Sequence, residues 1–131
     1  MPLMTIERIA STPDGLKSSG PYSLGVVAEG KFLFVSGQGP YCVEKKCFVL
    51  GSVEEQTTLT LKNVQRVVEA AGGSIENIVS ARIYLQMHTE KTWNEMNRAF
   101  EAFFGEHKPA RTTIGAQLLN IDVEIDVVVA M

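Results

Sequence analysis

Two cysteines, two histidines and one tryptophan are all that the 131 residues hold of those kinds. Two thiols cannot build a disulfide scaffold, and they suit a reducing compartment, the cytoplasm. With His88 and His107, Cys42 and Cys47 total four soft donors. The histidines lack helical or finger-like spacing, so no metal site is expected. Long hydrophobic runs are missing too. Val127–Met131 is the longest, far too short to span a bilayer, and no membrane partner is expected. The opening residues Met1-Pro2-Leu3-Met4-Thr5 offer neither the basic start nor the apolar stretch of a secretory signal. Runs of Lys and Arg interleaved with aromatics are also absent. With a net charge of −3 and a pI near 5.4, the chain gives a phosphate backbone little to bind, so nucleic acid is not an expected partner.

What is present is globular. A hydrophobic share of 45% against 21% charged residues supports one core, and the length suits a single domain over residues 1–131. Leu24–Ala28 and Lys31–Ser36 read as two strands forming a hairpin through Glu29-Gly30. A short strand around Phe48–Leu50 follows a hairpin tip at Val43–Lys46, which Cys42 and Cys47 flank. They are either a redox pair or two ordinary thiols. Ser52 with Glu55 forms a capping box, opening a helix whose buried stripe is Leu61, Val64, Val68 and Ala71 and which Gly72-Gly73 ends. Val79–Met87 alternates as a half-buried strand, with Val79, Ala81, Ile83, Leu85 and Met87 inward. Thr92 with Glu95 is the expected cap of a second helix, whose apolar face is Trp93, Met96, Phe100, Phe103 and Phe104 and whose stop is Gly105. Asn97 falls inside that apolar arc, where a polar group needs a partner. Strands Ala110–Ala116 and Ile121–Ala130 close the chain.

Strand–helix–strand crossovers moving in one direction put both helices on one face of the sheet. Lys31–Ser36 and the end of the last strand are apolar on both faces, so the second face also needs cover, and a homo-oligomer packed through sheet faces is expected.

The chemistry concentrates in Lys108-Pro109-Ala110-Arg111-Thr112-Thr113 and Val123-Glu124-Ile125. A guanidinium on an otherwise apolar strand is costly unless an anion meets it, so a carboxylate-bearing ligand fits Arg111. Glu124 on the following strand could handle water or protons beside that ligand. The competing reading is that Arg111 and Glu124 pair with each other or with solvent.

Several patterns occur in a fixed order: Gly20-Pro21-Tyr22-Ser23, Val35-Ser36-Gly37-Gln38-Gly39-Pro40, Asn63-Val64 and Val68-Glu69-Ala70-Ala71-Gly72. Asn97 ahead of Phe100-Glu101-Ala102-Phe103-Phe104, then Pro109-Ala110-Arg111 and Val123-Glu124-Ile125, complete the set. Together they resemble the Rid family (reactive intermediate deaminases, also called YjgF) from about Gly20 to the C-terminus. The resemblance implies an α+β, chorismate-mutase-like two-layer sandwich: a mixed six-stranded sheet with two helices on one face, forming a homotrimer with a central barrel and inter-subunit clefts.

It also implies hydrolysis of enamines and imines such as 2-aminoacrylate and 2-iminopropionate to 2-keto acids and ammonia, as in a 2-iminobutanoate/2-iminopropanoate deaminase. The partner is then a small imino or enamino acid, and no cofactor is involved. Arg111 matches the arginine that grips the substrate carboxylate, and Glu124 the glutamate that positions the attacking water. Tyr22, Ser36, Gly37 and Asn97 match positions lining or supporting the cleft, with Tyr22 reaching into a neighbour's site. Thr113 departs from the pattern, since many family deaminases carry cysteine there. By alternation it should face the same way as Arg111. The proposed chemistry needs an anion clamp and a placed water, so activity should survive the loss of a thiol. Two other readings share the resemblance: a non-catalytic trimeric module for small carboxylates or keto acids, and an endoribonuclease or translation inhibitor, which the acidic chain disfavours.

Overall fold

The computed structural model describes residues 5–131. Residues 1–4, which carry most of the argument about a secretory signal, lie outside the described residues. In chain order the strands are β1 (Glu7–Ile9), β2 (Gly25–Val27), β3 (Phe32–Gln38), β4 (Tyr41–Cys42), β5 (Cys47–Phe48), β6 (Ile78–Leu85), β7 (Ala110–Gly115) and β8 (Val123–Ala130). Helix α1 (Val53–Ala70) follows β5, and α2 (Glu90–Phe104) follows β6.

Helix α1 begins where the capping box places it. Ser52 Oγ accepts from the Glu55 N–H and Glu55 Oε1 from the Ser52 N–H, both at 3.0 Å, reciprocal bonds contributing about 1 kcal/mol. Gly72, at φ +83°, takes the left-handed conformation beyond the C-cap. Leu61, Val64 and Val68 are fully buried, but Ala71 is the exposed C-cap rather than the end of the stripe.

Helix α2 starts one turn earlier than Thr92. Thr89 Oγ1 accepts from the Thr92 N–H at 3.2 Å and Thr92 Oγ1 accepts from the Thr89 N–H at 2.9 Å, so Thr92 is the third helical residue. Glu95 is thereby freed to reach α1, where its carboxylate accepts from the Glu54 N–H at 3.4 Å.

The main sheet is mixed and four-stranded, in the order β3-β8-β6-β7, with β8 antiparallel to both neighbours and β6 parallel to β7. Among the described residues the strands form this sheet and two two-stranded ribbons, β1-β2 and β4-β5, rather than the one six-stranded sheet expected. The hairpin expected through Gly30 is not one either: β2 pairs with β1, and β3 pairs with β8. Gly30 does take a positive φ of +109°, but the turn it makes separates the strands. Among the described residues, Ser23, just before β2, makes a parallel bridge to Ala110 on the β7 edge of the sheet.

Both helices cover one face. Leu61, Val64 and Val68 of α1 and Met96, Phe100 and Phe104 of α2 pack with Val35, Ala81, Ile83, Leu85, Val123, Ile125, Val127 and Val129. A register shift between Ile78 and Ser80 turns Ile78 fully into this core and leaves Val79 half-buried. Met87 lies past the strand end and is 63% exposed. On the opposite face Phe34 is 76% exposed, and Phe32 and Ile114 are exposed with it.

Candidate active site

Arg111 sits on β7, an edge of the sheet. It is in register with Ala81 of the core, so its side chain and that of Thr113, in register with Ile83, rise on the helix-covered face. Three rings enclose the guanidinium: its carbon lies 4.8 Å from the centroid of Tyr22 and 4.9 Å from those of Trp93 and Phe100. A delocalised planar cation suits such a cage, because ring faces attract it and it is weakly hydrated. Arg111 Nη1 donates to Asn97 Oδ1 at 2.8 Å, and Met96 Sδ stands 3.7 Å from the same nitrogen. Asn97 inside the apolar arc of α2 thus finds its partner.

Nη2 is shielded from solvent and has no hydrogen-bond partner, and the same holds for Thr113 Oγ1. Such groups are rare in folded proteins, since each leaves a desolvated donor uncompensated. Burial pushes the Arg111 guanidinium down to about 10, against the opposing effect of Tyr22, so it remains protonated at neutral pH. Among the described residues, no carboxylate comes within ion-pair distance of Arg111.

The loop from Gly20 to Ser23 completes the cage. Ser23 pins it to the start of β7, its N–H donating to Pro109 O at 2.9 Å and its Oγ to Lys108 O at 2.6 Å. The Tyr22 hydroxyl shares a 3.0 Å hydrogen bond with Ser19 Oγ, and hydrogen bonding to Ser19 draws its pKa below the ordinary phenol value. Tyr22 therefore lies over its own chain's Arg111, where the expectation placed it in a neighbour's site. Gly20 allows the close approach, because an added Cβ would stand 3.2 Å from Arg111 Nη2 and 3.3 Å from both Trp93 and Tyr22.

Glu124 is elsewhere. It is in register with Tyr84 on the face of the sheet away from the helices. Its carboxylate covers Gly37, where an added Cβ would collide with Oε2 and lie 2.9 Å from Cδ. Ser36 is exposed beside it, in the stretch of β3 where the register shifts. Asp126 shares this face and accepts from Arg82 Nε at 2.9 Å and Tyr84 OH at 3.0 Å. Asp122 does not share it: its Oδ2 accepts from Gln56 Nε2 of α1 at 2.8 Å.

One chain therefore holds two groups. Tyr22, Asn97, Arg111 and Thr113 gather at the β7 edge under the helices. Ser36, Gly37 and Glu124 gather at the β3 side on the opposite face. The expectation that Arg111 and Glu124 meet fails within a single chain, and so does the expectation that they pair. Trp93, Phe100 and Gly20 escaped the sequence reading as site residues, since the first two read as core. The available signal was Asn97 within the Trp93, Met96 and Phe100 arc. Among the described residues, no cluster of three or more His, Cys, Asp or Glu is arranged to hold a metal ion.

Comparison with known proteins shows the family and the fold. A family model described as endoribonuclease L-PSP matches residues 12–131. A RutC family protein of Pyrococcus horikoshii is 33% identical over 122 residues, which cover 93% of this chain and 94% of that protein. The mitochondrial protein Mmf1 of Saccharomyces cerevisiae is 33% identical over 123 residues, 89% of this chain and 82% of that one. A Rid-family protein of unknown function from Yersinia pestis shares the fold at a TM-score of 0.84 and 22% identity, over 95% of this chain and 98% of that one. Escherichia coli TdcF, solved with bound serine, aligns at a TM-score of 0.69 and 28% identity, over 95% and 99% of the two chains.

Proposed function

The chain belongs to the Rid/YjgF family, and from that membership we propose that it hydrolyses 2-imino acids and their enamine tautomers, such as 2-iminopropionate and 2-aminoacrylate, to 2-keto acids and ammonia. One observation carries the reading: Arg111 Nη2 and Thr113 Oγ1, on residues two apart on one strand face, are both desolvated and unpartnered. A bound carboxylate accepts from both and removes the cost of leaving them unpaired. The serine seen in TdcF is a small carboxylate of the same chemical kind.

In this mechanism Arg111 fixes the carboxylate and hence the C=N carbon, while Asn97 and the three rings hold the guanidinium in one plane. Glu124 orients and deprotonates a water that attacks that carbon. The tetrahedral carbinolamine then collapses to the keto acid and releases ammonia. Positioned proton transfer contributes ~10²–10⁴-fold, enough for imines that already react with water.

The chemistry needs two subunits. Arg111 and Ser36-Gly37 lie on the two edge strands of the sheet, and Glu124 faces away from Arg111. A heterologous ring that brings the β7 edge of one copy to the β3 edge of the next unites them. We take the ring to be a homotrimer of single-domain chains, with Phe32, Phe34 and Ile114 covered inside the assembly. No described helix is long and apolar enough to cross a membrane. The two free thiols suit a cytoplasmic site of action, although the yeast relative is named as mitochondrial.

A carboxylate-binding module without turnover is the second reading, favoured by the serine-bound TdcF structure. Ribonuclease activity, which the family model's description names, is disfavoured by the net charge of −3. The deciding experiment couples an amino-acid oxidase to the purified protein, with semicarbazide competing for the released imine. Suppressed semicarbazone formation by the wild type and not by Arg111→Ala is the expected result. Carboxylate binding with no suppression for any of several imines would leave the binding module standing.

A further inference from the structure

The hairpin β4–β5 lies outside the chemistry just described. Cys42 and Cys47 are direct partners in its register and both are free thiols. Direct partners on antiparallel strands project to the same side, so the two sulfurs share one face of the hairpin. The next bond along the ladder, Val49 N–H to Pro40 O at 2.8 Å, makes Pro40 and Val49 a hydrogen-bonded pair. By alternation Cys42 and Cys47 are the following hydrogen-bonded pair, with Cα atoms about 5.5 Å apart. That spacing falls within the ~4.4–6.8 Å range of disulfides.

The hairpin has too few residues per strand to be stable alone, yet it is held in place. Asn63 Nδ2 of α1 donates to both Gly39 O and Tyr41 O at 2.9 Å, and Tyr41 packs edge-to-face on Phe48 at 5.3 Å. Lys46, at φ +54°, closes the four-residue tip. The cysteines are therefore fixed opposite one another. Cys42 Sγ–H donates to Glu44 Oε2 at 3.4 Å and the sulfur accepts from the Lys45 N–H at 3.4 Å, whereas Cys47 is exposed.

We propose that Cys42 and Cys47 are a reversible modification site that closes to an intramolecular disulfide by exchange with a low-molecular-weight disulfide such as oxidised glutathione. The exposed Cys47, as its thiolate, attacks one sulfur of the oxidant. That S–S bond breaks, one glutathione thiolate leaves, and a mixed disulfide remains on Cys47. Cys42 gives its proton to water and attacks the Cys47 sulfur, forming the new S–S bond and expelling the second glutathione. The protein loses two electrons and two protons, and the oxidant becomes two glutathione thiols. Cβ atoms of hydrogen-bonded pairs stand wider than the ~3.8 Å of a relaxed disulfide, so the bond is strained and readily reduced, an exchanging bond rather than a permanent staple.

Intact-mass spectrometry on the full-length protein in glutathione buffers tests this. The wild type should lose two hydrogens at high oxidised-to-reduced ratio, carry no glutathione, and regain them when reduced glutathione is returned in excess. Cys42→Ser should keep one glutathione on Cys47, since no resolving thiol remains. A wild type that stays reduced, retains glutathione on either cysteine, or links chains through sulfur would overturn the proposal. So would Cys42→Ser free of adduct under the conditions that oxidise the wild type.

Discussion

Arg111 and Glu124 face opposite sides of the same sheet, one beneath α2 and the other beside Gly37. If both act on one substrate, they come from different chains. Mixing unfolded Arg111→Ala and Glu124→Ala subunits in equal amounts and refolding them together tests this directly. Random assembly of a heterologous ring gives each interface an even chance of drawing Arg111 from one variant and an even chance of drawing Glu124 from the other. Imine hydrolysis should therefore recover to ~25% of wild type, though each variant alone is inactive. No recovery in mixed rings verified by mass would place both residues in one chain's site and sink the shared-cleft mechanism.

Asn97 offers a sharper probe of the cage. Removing its Oδ1 in Asn97→Ala orphans a second guanidinium nitrogen, at a cost of about 1–3 kcal/mol in stability. Asn97→Asp does the reverse. It gives Arg111 an internal carboxylate, so the protein should be at least as stable, while the affinity for a carboxylate ligand collapses. Urea denaturation beside isothermal titration with a 2-keto acid separates the two effects. An aspartate variant that binds as tightly as wild type would mean that the ligand does not use this arginine.

How much of this was legible depends on the range of the interaction. The α1 cap, the inward Ala81, Ile83 and Leu85 of β6, the alternation of β8 from Val123 and the Gly105 stop rest on neighbours within a few residues, and they were readable. Thr89 was overlooked because Thr92, lacking a carboxylate, still closes the box with its hydroxyl. Pairing of β2 with β1 was beyond reach, since a glycine turn between two apolar segments looks the same whether they join or part. On β7 alternation put Thr113 on the side of Arg111, and both point inward, while Ile114, the strand's largest apolar residue, is 45% exposed. Outward Ile114 and Phe34 are residues that the proposed assembly would cover.

Gly37→Ala should separate catalysis from folding. The three atoms nearest the new methyl group all belong to the Glu124 side chain, whose far end can shift. Stability should therefore change by no more than ~0.5 kcal/mol, as for a surface substitution. The displaced carboxylate no longer orients water, so kcat should fall at least ~10-fold with KM little changed. Thermal melts and steady-state kinetics on the same preparation report both. Undiminished kcat would remove Glu124 from the water-positioning role.

Trp93 should act on binding more than on turnover. Its ring closes one side of the guanidinium and stacks on His88 at 5.9 Å. Trp93→Phe keeps an aromatic face and should alter KM little. Trp93→Ala should raise KM by the loss of roughly 0.5–2 kcal/mol of cation–π attraction, with kcat nearly kept. Equal loss of kcat in both variants would assign the indole to the chemistry instead.

The pH dependence of binding follows from Arg111. Burial holds its guanidinium near 10 in the free protein, and a carboxylate ligand binds only the protonated form. Affinity for a ligand already ionised at neutral pH should stay level through the neutral range and fall as pH rises through about 10. Folding stability moves the other way. With the folded value depressed below the unfolded one, the unfolded chain holds more protons between the two. This residue's burial penalty is thus fully present below about 10 and is relieved at higher pH. Titrating a non-hydrolysable keto acid across alkaline pH, with Arg111→Gln as the reference, isolates the residue. The wild-type curve should fall while the weak residual binding of the variant stays flat. Parallel curves would show that some other cation carries the ligand.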